Sequence, residues 1–92
     1  MYDEESGVFI TPKFAVKLTR TEQKIANYLF KHKNELISKE EITNAVYGEY
    51  TPKKYNRVTH FAQTIYRKTK GHIIIAKVQG AGLVLINHRK EN

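Results

Sequence analysis

Ninety-two residues, 40% apolar and 11% aromatic, suffice for one domain built around one modest core. The absence of cysteine excludes disulfides and thiolate metal sites, no apolar run approaches the ~20 residues of a membrane span, and the acidic start Met1-Tyr2-Asp3-Glu4-Glu5 is the reverse of a signal peptide, so a cytoplasmic protein with no membrane partner is expected. The formal charge of +7 is unevenly laid out: residues 1–49 carry seven Lys/Arg against eight Asp/Glu, whereas residues 50–92 carry nine against one.

Val8-Phe9-Ile10 and Phe14-Ala15-Val16-Lys17-Leu18 are β-prone, and Thr11-Pro12-Lys13 between them reads as a tight connection, which predicts a short N-terminal hairpin. Thr19-Arg20-Thr21-Glu22 is a capping box, in which a hydroxyl and a carboxylate satisfy each other's backbone amides. Behind it Ile25, Ala26, Leu29 and Phe30 fall at helical spacing, predicting a helix over 21–33. Ser38-Lys39-Glu40-Glu41 is a second box and opens a shorter helix, with Ile42, Ala45 and Val46 expected on its buried face and an end near Gly48.

Thr51-Pro52 supplies an N-cap followed by proline at the first helical position. From there Val58, Phe61, Ala62, Ile65 and Thr69 gather on one stripe of a helix predicted over 52–70, with Gly71 as its left-handed cap. Asn56, His60, Gln63, Thr64 and Arg67 lie on the opposite side. His72 to Val78, the glycine-rich turn 79–82 and Leu83 to Ile86 then predict a C-terminal hairpin. The expected fold is α+β: a winged helix-turn-helix with a short N-terminal β-hairpin, three helices and a C-terminal β-hairpin wing. It forms one domain over 1–92, with its core in 8–86 and with 1–7 and 87–92 flexible.

Between Glu49 and Glu91 there is no acidic side chain. Solvated surfaces ordinarily mix both signs, so a one-signed half-chain points to a polyanionic partner, most commonly nucleic acid. Other chemistry finds little support. Glu41 of the adjacent pair Glu40-Glu41 is explained by capping, and the four histidines 32, 60, 72 and 88 lack metal-ligand spacing. Asp3 is the only aspartate, which leaves no Ser/His/Asp set. Gly80-Ala81-Gly82 lies in a hairpin, where a dinucleotide fingerprint would precede a helix. No enzyme, metal or cofactor is therefore expected. The six tyrosines interleave with basic residues, but stacking on single-stranded bases would need them on one open surface.

From Leu18 to Leu85 the chain resembles the effector domain of OmpR/PhoB-type response regulators. Leu18-Thr19-x-Thr21-Glu22 resembles the family's L-T-x-x-E, and Ile37-Ser38-Lys39-Glu40-Glu41-Ile42 with Val46-Tyr47-Gly48 its second helix. Val58-x-x-x-Ala62-x-x-Ile65 resembles the third helix, and Val78-Gln79-Gly80-Ala81-Gly82-Leu83 the wing. Tyr66 and Gln79 stand where the family often has arginine, and Leu83 where it has an aromatic residue. A receiver domain with its phosphoacceptor is not expected in this sequence.

The resemblance implies a duplex-DNA-binding transcription regulator, acting at the nucleoid, with helix 52–70 in the major groove and wing 77–83 on the backbone or minor groove. Base readout is then expected from Asn56, His60, Gln63, Thr64 and Arg67, the last suited to guanine and Gln63 to adenine. Lys53, Lys54, Arg57, Lys68, Lys70 and Lys77 are expected on phosphates, and Gln79 and Gly80 at the wing. The resemblance further implies a homodimer on tandem half-sites and contact with RNA polymerase through loop 48–54. Two alternatives remain open: a plasmid or phage DNA-maintenance protein of the same fold, and a protein-protein adaptor.

Overall fold

The computed structural model describes residues 1–86, so the expected polar tail over 87–92 lies outside the described residues. Nine elements follow in order: β1 (Tyr2–Asp3), β2 (Val8–Ile10), β3 (Ala15–Lys17), α1 (Arg20–Lys31), β4 (Ile37–Ser38), α2 (Lys39–Tyr47), α3 (Pro52–Lys68), β5 (Ile74–Val78) and β6 (Gly82–Ile86). Two antiparallel three-stranded sheets, β1-β2-β3 and β4-β6-β5, flank the three helices. This is the α+β winged helix-turn-helix that the element order predicts.

The N-terminal hairpin exists, in the register Phe9↔Val16, but it carries a third strand. Residues 1–7 are not loose. Tyr2 pairs with Phe9, stacks on Phe30 with ring centroids 5.1 Å apart, and donates its hydroxyl to Asn27 Oδ1 at 2.7 Å. The Gln23 side-chain amide reaches the carbonyls of Glu4 and Glu5, at 2.8 and 3.1 Å. The acidic run that reads as a frayed start is thus a turn held on α1, because side-chain amides of that helix satisfy its carbonyls.

Both capping threonines and the serine act as expected. Glu22 N donates to Thr19 Oγ1 and Thr19 N to Glu22 Oε1, closing the first box. Ile25, Ala26 and Leu29 are fully buried behind it. The second box is only half formed: Ser38 accepts from the Glu41 amide at 3.0 Å, while the Glu41 carboxylate takes the Tyr28 hydroxyl of α1 instead. The buried face of α2 is Ile42, Thr43 and Val46, and Ala45 points outward, contrary to expectation. The rotation follows from the position of β4, which sends Ile37 into the core immediately before the helix starts.

The expectation for the third helix was two residues too long. It ends at Lys68, because the Thr69 hydroxyl donates back to the Ile65 carbonyl at 2.8 Å and accepts from the Ile73 amide at 3.1 Å, folding the chain toward the wing. Tyr55, Val58, Ala62 and Ile65 form its buried face, with Phe61 half-buried beside them.

The wing is tied to the body by a strand that sequence periodicity does not show. In β4, Ile37 pairs with Leu83 and Ser38 with Gly82, and Lys39 N donates to the Ala81 carbonyl at 3.1 Å. A Cβ on Gly82 would lie 1.9 Å from the Ile37 carbonyl oxygen, so this backbone approach requires glycine. At the wing tip Ala81 N donates to the Val78 carbonyl at 2.9 Å across Gly80, whose φ is 75°. One core, centred on Leu18, Ile25, Leu29, Ile42, Val58 and Ile65, is shared by all three helices and closed by Leu83 and Leu85 of the wing.

Candidate nucleic-acid interface

Four residues, Gly48 to Thr51, join α2 to α3. Gly48 leaves α2 in the left-handed conformation, and Thr51 accepts from the Lys54 amide at 3.1 Å to start α3. With Tyr55, Val58, Ala62 and Ile65 held in the core, the opposite side of the helix must face solvent. Asn56, His60, Gln63 and Arg67 are exposed there, at intervals of three and four residues, and so form one stripe along the helix.

Thr64 is half-buried beside this stripe. Its hydroxyl donates to the His60 carbonyl at 3.2 Å and accepts from Arg67 Nη2 at 3.3 Å. Its first role is therefore to orient the Arg67 guanidinium along the helix. The stripe continues sideways into an open groove lined by Lys53, Asn56, Arg57 and His60, with Tyr47 and Phe61 as its apolar wall and Thr21 of α1 at its edge. Sequence reasoning missed Thr21 and Tyr47 as neighbours of this face, since they come from other elements and no local spacing marks them.

The six cations expected on phosphates separate into distinct environments. Lys53, Arg57 and Lys77 are exposed. Lys54 pairs with Glu49, whose carboxyl it holds below the usual carboxylate range. That pair is largely solvated, with Glu49 62% exposed, so exchanging the carboxylate for another anion costs little. Lys70 sits beyond the end of α3, its ammonium 5.1 Å from the centre of the Phe14 ring, roughly 25 Å along the helix from Lys53.

Lys68 departs from expectation. Its Nζ donates to Glu22 Oε1 at 2.8 Å, and the Glu22 side chain is only 3% exposed. Withdrawing the ammonium would leave the buried carboxylate with the Thr19 amide but without this counter-charge, which is unfavourable. Lys68, expected on a phosphate, is thus already paired within the protein; nothing in the local spacing announces a partner 46 positions away.

Gln79 and Gly80 are exposed at the wing tip, while Leu83, at the position where an aromatic was the comparison, is buried in the core. The tyrosines form no stacking surface: Tyr55 is buried, Tyr28, Tyr47 and Tyr50 pack against the core, and Tyr66 is half exposed. Among the described residues, no helix is long and apolar enough to cross a membrane.

Three helices, a four-residue turn before a solvent-facing third helix, and a wing define a winged helix-turn-helix domain. Residues 13–85 match the model of the family described as "Transcriptional regulatory protein, C terminal", and the chain belongs to that family. The kinship with OmpR/PhoB-type effector domains expected from four motifs is thereby borne out, and the family is one of transcriptional regulators, not of enzymes.

The transcriptional regulatory protein SpaR of Bacillus subtilis is 37% identical over 57 residues, which cover 62% of this chain and 26% of SpaR. The match thus spans about a quarter of the relative's length. Among solved structures, the DNA binding domain of CpxR from E. coli superposes with a TM-score of 0.77 at 19% identity, covering 96% of this chain and 90% of that one. The DNA binding domain of the response regulator AdeR, solved in complex with an intercistronic region, gives 0.72 at 19% identity, covering 95% and 93%. At these identities the two structures are likenesses of fold.

Proposed function

We propose that the chain binds duplex DNA sequence-specifically and regulates transcription, with α3 in the major groove and the wing on the backbone or minor groove. The observation that carries this reading is the division of α3. One side is locked in the core, and the other presents Asn56, His60, Gln63 and Arg67 as a continuous polar stripe with no acidic residue. The major groove admits a helix and offers paired donors and acceptors to such side chains. Arg67 suits guanine O6 and N7, Gln63 suits adenine N6 and N7, and Asn56 and His60 read nearer the helix start. Thr64 reaches the DNA only through its methyl group or through Arg67.

Lys53, Arg57 and Lys77 hold phosphates, with Lys54 exchanging Glu49 for one and Lys70 serving at the far end. Gln79 and Gly80 meet the backbone or minor groove without a charge, so the wing contributes less attraction than an arginine would. The DNA binding domain of AdeR, of the same fold, was solved in complex with an intercistronic region, which supports DNA as the partner.

On tandem half-sites two copies bind side by side, and loop 48–54 faces RNA polymerase. Its work lies on the nucleoid and is binding, without catalysis or cofactor.

Selection of bound sequences from a random duplex pool at about 150 mM salt tests the reading. Enrichment of a repeated motif is the expected result. Binding without enrichment points to a sequence-neutral maintenance role, and absence of binding points to a protein-protein adaptor.

A further inference from the structure

Lys68 follows Arg67 directly in the chain, yet its ammonium is turned into the protein, against Glu22 Oε1. The same oxygen accepts the Thr19 amide at 2.8 Å. One buried carboxylate thus closes the start of α1 and grips the last turn of α3. Arg67, by contrast, makes its hydrogen bond to Thr64 of its own helix, so its place relative to the body depends on how α3 itself is held.

We infer that Glu22 and Lys68 are positioning residues for sequence reading: their ion pair sets how the last turn of α3 sits against α1, and through it the base that Arg67 meets. The inference rests on the reading that α3 enters the major groove. Adjacent helical residues lie 100° apart, so a lysine drawn toward α1 at 68 leaves the side chain at 67 on the outward stripe, and releasing it frees the last turn to shift. At its other end α3 is fixed independently, by the Thr51 cap and by Tyr55 in the core. Ala62 and Ile65 hold the middle of the helix in the core, so loss of the ion pair acts on the last turn, where Arg67 lies. Because Glu22 is buried and Lys68 half-buried, salt weakens the pair less than it weakens surface contacts.

The test uses the full chain and the duplex that the wild type selects, compared with a scrambled duplex across a salt series. Lys68→Met, Glu22→Gln and the double variant are each measured. Glutamine keeps an acceptor for the Thr19 amide, and the double variant leaves no unpaired buried charge, so it separates loss of the ion pair from the folding cost that Lys68→Met alone carries. The expected result is a loss of about tenfold in the ratio of selected to scrambled affinity, the equivalent of roughly one base contact. Affinity for scrambled DNA and its salt slope stay at wild-type values. The double variant loses no more than the worse single one, and Lys68→Arg keeps the ratio.

A Lys68→Met variant that weakens both duplexes alike and flattens the salt slope by about one overturns the inference and makes Lys68 a phosphate anchor. An unchanged ratio in the double variant overturns it as well. If the wild type itself enriches no motif, the groove reading fails first and takes this inference with it; the two failures are therefore distinguishable.

Discussion

Arg67 and Lys68 are neighbouring cations that a sequence pattern treats alike, and the fold gives them different partners. Arg67 faces solvent and is held by Thr64, while Lys68 is held by a buried carboxylate. Replacing Arg67 with alanine should cost about 1–3 kcal/mol on the preferred site and relax preference at one base position. Titration of point-mutated duplexes measures this. A uniform loss across all sequences would instead make Arg67 a phosphate contact.

Tyr2 supplies a second prediction at this scale. Burial first, and then the negative charges of Glu4 and Asp3, push its phenol up to about 12. Because the folded value is raised, the contribution is fully present below the ordinary tyrosine range near 10 and is lost as pH rises through about 12. A tyrosinate absorbance titration should show a late phenol in the wild type that Tyr2→Phe removes. An identical high-pH limb in both proteins would place Tyr2 in solvent. None of this was legible in the sequence, where residues 1–7 look polar and loose, since the partners Asn27 and Phe30 lie on α1.

The three helices were legible at the scale of elements because their start signals are local. Thr19, Ser38 and Thr51 each place a hydroxyl three residues before the amide it caps, and all three act so in the fold. Two-residue strands have no such signature. β1 and β4 exist only through pairing with β2 and β6, and no periodicity can be read from two residues. The outward turn of Ala45 has the same origin, since Ile37 in β4 fixes how α2 enters the core.

The β4–β6 contact makes a sharp contrast between two wing glycines. Gly82→Ala would drive a methyl group into the Ile37 carbonyl and should cost about 3 kcal/mol or more. Nothing lies within 4 Å of a Cβ on Gly80, so Gly80→Ala should cost only the left-handed backbone, about 1–2 kcal/mol. Denaturant unfolding of both variants decides the matter. Equal losses would mean that Gly82 serves only its turn and that the wing is not anchored through β4.

For the whole molecule, charge asymmetry was the most legible functional feature, and the fold explains how it can be used. The basic C-terminal half includes α3 and the wing, which each bury one face in the core and turn the other, cation-bearing face to solvent. Counting Lys53, Lys54, Arg57, Lys70 and Lys77 as phosphate contacts predicts a slope of about −4 to −5 for log K against log salt. A slope near −1 would remove most of them from the interface. The sequence did not show which of the cations are spoken for, because pairing with Glu49 and Glu22 is settled by the packing of α2 and α1 against α3.

On the proposed reading, the outward stripe of α3 is the part of the molecule that reads DNA. The most direct test is selection from a random duplex pool repeated with Arg67→Ala and, separately, with Gln63→Ala. Each variant is expected to select a related motif still but to lose preference at its own one or two adjacent positions. Motifs identical to that of the wild type in both variants would contradict this reading, and would move sequence reading away from the stripe.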